Sequence, residues 1–171
     1  AFISYSHAVD GRLAPALKSA LQRFARPWYA IRAMRVFHDT TNLSVNPDLW
    51  GTIDAVLKEV EFLLLLASPE AAASKWVRKE LATFAATGRA RNIVLVHTAG
   101  ELHWDDEAGN FDWSKTTALP RLEFPLFTKQ PLYIDMRWAR QPTQLDLGNP
   151  KFRDEIASIS SALLGVELED L

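Results

Sequence analysis

Phe62-Leu63-Leu64-Leu65-Leu66-Ala67, followed at once by Ser68-Pro69, is the stretch on which the fold turns. Six consecutive apolar residues suit a strand covered on both faces, as in the centre of a parallel sheet. The run is far too short to span a membrane, and no longer apolar run occurs in the chain. Immediately before it, Trp50, Ile53, Val56, Leu57 and Val60 recur at helical spacing. Asn46-Pro47-Asp48 opens that helix, with Asn as N-cap, Pro at the first helical position and an acid near the positive end. Further upstream, Met34-Arg35-Val36-Phe37-His38 reads as a strand running into the loop signal Asp39-Thr40-Thr41-Asn42. At the start, Phe2-Ile3 gives a short strand, a polar loop follows, and Leu13, Leu17, Ala20, Leu21 and Phe24 form one helical stripe that ends before Pro27.

Working downstream, Ser68-Pro69 and Ser74 are helix starts, and Gly88 suits the end of the helix that includes residues 76–86. Residues 93–97 make a fourth strand and 132–136 a fifth. Asn149-Pro150 opens a last helix with Phe152, Ile156, Ile159 and Leu163 on its inner side and Gly165 at its end. Strand and helix alternate, which predicts an α/β fold: a five-stranded parallel sheet with helices on both faces. Ligands in such sheets sit beyond the carboxyl ends of the strands, here near residues 4–10, 38–46, 68–76 and 97–101. The stretch 100–130 breaks the rhythm. It is read as a decorated surface connection, the other reading being a small hairpin of His103-Trp104 against Phe111-Asp112-Trp113.

With 171 residues, 48% apolar and 23% charged, the chain is expected to form one soluble domain over 1–171. It opens at Ala1 almost directly in a strand, which reads as a domain excised from a longer protein carrying sensor or effector neighbours. A net charge of -2 with no basic run gives no pull toward nucleic acid. The absence of cysteine excludes disulfides and thiolate catalysis and is compatible with the cytoplasm. No signal peptide is visible. The 7 glycines are scattered, without a dinucleotide or Walker loop, and no G-x-S-x-G elbow occurs. The 4 histidines lack metal-ligand spacing, and His97, Glu101, His103 and Asp105 read as a polar loop, so no metal is expected.

Glu80 is the most informative position. At about 100° per residue its helix places Trp76, Phe84, Val77 and Leu81 on one arc, and Glu80 projects between Trp76 and Phe84. A carboxylate inside an apolar arc must find a partner, be protonated or border a cavity. Two readings stand equal: a salt bridge or snorkelling Glu at the margin of the stripe, or a carboxylate paired with an aromatic plate, Trp76, facing a cavity.

Phe2-Ile3-Ser4-Tyr5-Ser6, then Arg35-Val36-Phe37-His38-Asp39, then residues 63–68 with Ser74-Lys75-Trp76-Val77-Arg78-Lys79-Glu80-Leu81 resemble, in order, the successive boxes of Toll/interleukin-1 receptor (TIR) domains, including the W-x-x-x-E signature of bacterial members. The resemblance covers nearly the whole chain and implies the flavodoxin-like fold. It further implies cleavage of NAD as substrate, with no added cofactor, to nicotinamide and ADP-ribose or a cyclic product. Glu80 matches the catalytic Glu and Trp76 the aromatic residue beside it. Tyr5, Ser6, Phe37 and Trp50 are candidate substrate-binding residues near the same crevice, though they suit the core equally. The loop from Asp39, with Leu43 and Val45, matches the segment through which such domains assemble with one another, although it lacks the Gly and Pro-Gly pair common there. A cytoplasmic role in bacterial antiphage or stress signalling is the expectation. A non-catalytic TIR scaffold and a nucleoside deoxyribosyltransferase, which shares a similar fold and a nucleophilic Glu, are the competing readings. A phosphoacceptor receiver is excluded by Ser-Tyr-Ser and Ala-Ser-Pro where acids would be needed.

Overall fold

A computed structural model describes residues 1–24, 37–38, 48–131 and 133–165, with positions 37, 38 and 49 described by backbone alone. In chain order the elements are β1 (Phe2–Ser4), α1 (His7–Asp10), α2 (Leu13–Phe24), β2 (Phe37–His38), α3 (Leu49–Glu59), β3 (Leu63–Ala67), α4 (Pro69–Ala73) and α5 (Lys75–Ala86). A short 3-10 turn at Ala90–Asn92 leads into β4 (Ile93–His97). Then come β5 (Trp104–Asp105), β6 (Asn110–Phe111), β7 (Tyr133–Asp135), a second 3-10 turn at Arg137–Arg140, and α6 (Pro150–Leu164).

Five strands form one sheet in the order β2-β1-β3-β4-β7, and every neighbouring pair is parallel. This is the expected doubly wound arrangement, with the strand order reversing beside β1. All five residues of β3 are buried, because its alternate side chains enter two different cores. Leu63, Leu65 and Ala67 join Phe2, Leu57, Val77, Leu81 and Phe84 on the α3/α5 face. Leu64 and Leu66 join Ile3, Tyr5, Leu17, Leu21, Phe152 and Ile156 on the α2/α6 face.

The helix starts read from the sequence are made by the side chains named there. Ser68 Oγ accepts the Ala71 N–H at 3.1 Å and Ser74 Oγ accepts that of Val77 at 3.3 Å. Asn149 Oδ1 accepts the N–H groups of Lys151 and Phe152. At the end of α5, Gly88 takes φ 78 just past the Thr87 cap, the left-handed conformation that glycine adopts without strain. The helix at 49–59 begins beside Asp48, whose side chain makes no cap bond; Asn46 and Pro47 lie outside the described residues.

Two expectations need correction. The polar loop after β1 contains a short helix, α1, whose first turn closes on the Ser6 carbonyl through the N–H groups of Val9 and Asp10. The stretch 100–130 is more than a surface connection, because β5 and β6 form an antiparallel hairpin pairing Trp104 with Phe111 and Asp105 with Asn110. Its aromatic side chains explain the ordering: Phe111 is buried, edge-on to Trp104 at 5.2 Å and to Phe127 at 6.0 Å, and joins the α3/α5 core with Ala118 and Leu119. Among the described residues no helix is long and apolar enough to cross a membrane.

Candidate functional site

Glu80 is 2% exposed although it is charged and lies on an outer-layer helix. Val77, Leu81 and Phe84 bring that face of α5 down on the sheet, so the carboxylate is carried inward with them. It meets the carboxyl end of β1, where Ser4 Oγ donates to Glu80 Oε2 at 2.5 Å. Ser4 is itself fully buried. The Glu80 side chain is therefore inside and does not snorkel at the margin of the stripe. A donor to one oxygen fixes the orientation of the carboxyl group.

One helical turn before Glu80, Trp76 is 37% exposed, among the few large apolar side chains that reach solvent. Its ring lies 5.9 Å from that of Trp50, inclined at 41°, so the first turns of α3 and α5 bring both indoles together. Lys79 Nζ lies 3.6 Å from the centroid of the Trp50 ring. An exposed aromatic plate and a buried carboxylate thus share one end of α5, at the carboxyl edge of the sheet where this architecture places ligands.

The other candidates are distributed differently. Tyr5 follows Ser4 and so points to the opposite face, where it packs in the α2/α6 core with its ring 4.3 Å from that of His7. Ser6 is the N-cap position of α1, without a side-chain cap bond. The structure does not bring Tyr5 to the Glu80 face. Phe37 pairs with Phe2 in β2. Asp39, Leu43 and Val45 lie outside the described residues.

Two polar features went unread in the sequence. Ser4 is one; a lone serine in a short strand carries no periodic signal. The other is a set that ties together four loops at the carboxyl edge. Asp10 is 1% exposed, Thr98 Oγ1 lies 3.2 Å from its Oδ2, and Arg140 Nη2 lies 3.4 Å from both of its oxygens. Arg140 also reaches Glu70 Oε2 at 3.5 Å. Burial raises the Asp10 carboxyl above its ordinary value, opposed first by the Arg140 charge and then by the Thr98 hydroxyl.

His97 does not belong with the loop acids grouped around it in the sequence. It is 2% exposed, Nε2 lies 2.8 Å from the Gly100 carbonyl, and burial lowers its pKa. His103 and Glu101 instead face solvent 3.5 Å apart. Among the described residues no group of three His, Cys, Asp or Glu is placed to hold a metal ion. A cavity of about 810 Å³ lies elsewhere, at the amino ends of β4 and β7, walled by Phe62, Ile93, Phe127 and Tyr133. Its described lining contains no carboxylate, so it offers no counterpart to Glu80.

The chain is thus an α/β module with a parallel five-stranded sheet, helices on both faces, and a carboxylate and indole one turn apart on α5. Residues 1–145 match the family described as the TIR domain, and the chain belongs to that family. Over all 171 residues the chain is 46% identical to a curated protein of Actinoplanes sp. named NAD(+) hydrolase ApTIR. The chain spans 24% of that relative's length, about a quarter.

Proposed function

We propose that this TIR domain cleaves NAD at the bond between nicotinamide and ribose. The observation that carries the reading is the buried Glu80 carboxylate, held by Ser4 one turn from the exposed Trp76 ring. The hydrolase name of the Actinoplanes relative supports it. As the glycosidic bond lengthens, its electron pair leaves with nicotinamide and positive charge grows on the ribose carbon. A fixed carboxylate nearby stabilises that charge, as in glycoside hydrolysis. Nicotinamide departs neutral, so no general acid is required. Water then adds to the ribose carbon and releases a proton, giving ADP-ribose; attack by the adenine ring of the same molecule gives the cyclic product instead. Trp76 supplies a face for the planar base, with Trp50 behind it.

The same reading makes the active species an assembly of TIR domains, with the loop that begins at Asp39 and includes Leu43 and Val45 as the contact segment. A cytoplasmic role in bacterial immune or stress signalling, alongside domains outside this chain, follows from the family resemblance. The direct test is to incubate concentrated or artificially clustered protein with NAD and measure free nicotinamide. Glu80→Ala should abolish release while the circular dichroism spectrum stays native; removing one such preorganised group costs on the order of several kcal/mol of barrier. Undiminished release by a folded Glu80→Ala protein would take Glu80 out of the mechanism.

A further inference from the structure

Lys79 stands immediately before Glu80, and its ammonium is turned toward indole rings. Nζ lies 3.6 Å from the centroid of Trp50 and 5.9 Å from that of Trp76. Among the described residues no carboxylate lies within ion-pairing distance of it. The two rings are 5.9 Å apart and tilted, so the ammonium sits on Trp50 and at the outer reach of Trp76. Lys79 and Trp76 are exposed and Trp50 half-buried, which leaves the cluster open to solvent on one side. The negative face of an indole attracts an ammonium, and it attracts other compact or planar cations too.

We propose that Trp50 and Trp76 form a cation-binding aromatic site one turn from Glu80, and that Lys79 is its built-in competitor, holding the rings until a cationic ring displaces it. The inference rests on the reading that Glu80 serves NAD cleavage, because the nicotinamide of NAD is a positively charged pyridinium. The rings favour the charged ring over an uncharged one of the same shape, and Lys79, itself a cation, weakens that preference by competing for them. Cleavage turns that ring into neutral nicotinamide, which gains no cation–π attraction. Lys79 can then return to the indoles as the product leaves. Lys79 thus tunes how tightly the site holds a charged ring and is not part of the bond-breaking machinery.

The test needs no turnover. The N-methylnicotinamide cation and neutral nicotinamide are titrated separately into the intact chain, following the indole N–H signals of Trp50 and Trp76 by NMR. Lys79→Met, which keeps most of the apolar stem, should bind the cation about two- to fivefold more tightly, the change expected from releasing one exposed cation–π contact. Binding of neutral nicotinamide should tighten by less, because the displaced ammonium repels only the charged ring, and adding Trp50→Leu should erase the gain of the cation. Equal or weaker cation binding by Lys79→Met, an equal gain for the neutral ring, or no shift of either indole would overturn the proposal. A protein that behaves as expected here yet releases no nicotinamide from NAD retains the cation site while losing the functional reading. A protein that cleaves NAD but shows no Lys79→Met effect does the reverse.

Discussion

Removing one hydroxyl tests how Glu80 is held. Ser4 is the side chain seen to donate to that carboxylate, across 76 residues of sequence, and hydrogen bonds to charged groups contribute about 1.5–3 kcal/mol. Ser4→Ala should therefore lower kcat for nicotinamide release by roughly tenfold or more, and Ser4→Cys, of similar shape with a weaker donor, should recover part of the loss. Thermal unfolding monitored alongside separates misplacement from unfolding; full activity in Ser4→Ala would make the contact incidental. Trp76 admits a similar separation. Because it is 37% exposed, Trp76→Ala should cost less than the roughly 3–5 kcal/mol of a buried Trp, yet should lose activity, while Trp76→Phe keeps an aromatic face and partial turnover. A melting temperature that collapses on Trp76→Ala would make the ring core. Glu80 and Trp76 were legible because helical geometry is local: three or four residues suffice to place a carboxylate inside an apolar arc. Ser4 was not, because its meaning comes only when β1 and α5 pack; Tyr5, which suited crevice and core equally in the sequence, packs in the α2/α6 core.

At the scale of elements, the carboxyl edge is tied together by Asp10 of α1, Thr98 after β4, Arg140 after β7 and Glu70 of α4. Since burial raises the Asp10 carboxyl, the folded protein keeps that proton over a pH interval in which the unfolded chain has already released it. Stability attributable to Asp10 falls as pH rises through that interval and is least at neutral pH, where Arg140 offsets the cost. Glu70 acts in the opposite sense, its pKa being lowered by its own backbone N–H before any contribution from Arg140; its stabilisation is present above the ordinary Glu value and lost in acid. Arg140→Met removes support from both carboxylates in their charged forms. It should cost about 1–3 kcal/mol near neutrality and clearly less near pH ~4. His97, lowered by burial, contributes stability that is lost as pH falls below its ordinary range, so the comparison is made as wild type minus variant at each pH. Equal losses at both pH values in urea unfolding would remove Asp10 and Glu70 from the explanation. The sheet elements were readable because β3 is apolar on both faces and the starts of α4, α5 and α6 carry capping side chains. The hairpin at 104–111 was underrated because two-residue strands have no period to detect, and their order comes from Phe111 and Phe127 meeting in the core.

For the whole molecule the question is whether one domain suffices. In the proposed assembly a second copy would cover the exposed Trp76 beside the buried Glu80. The segment proposed to reach the neighbour follows β2 at the carboxyl edge and combines Leu43 and Val45 with Asp39, Thr40, Thr41 and Asn42. Two apolar residues in a polar loop are common on protein surfaces, so their presence alone decides nothing. Concentration does decide it, because mass action makes the assembled fraction rise with protein while a monomeric enzyme keeps a constant turnover per molecule. Specific activity should therefore climb with concentration, and Leu43→Asp should flatten the climb without lowering the melting temperature, since a buried charge at a contact opposes association. Mixing Leu43→Asp with Glu80→Ala adds a sharper arm: one partner supplies an intact loop and the other an intact carboxylate, so partial recovery is expected where the site is completed between chains. Turnover per molecule that stays constant over a hundredfold dilution, with Leu43→Asp equal to wild type, would place the whole reaction within a single domain.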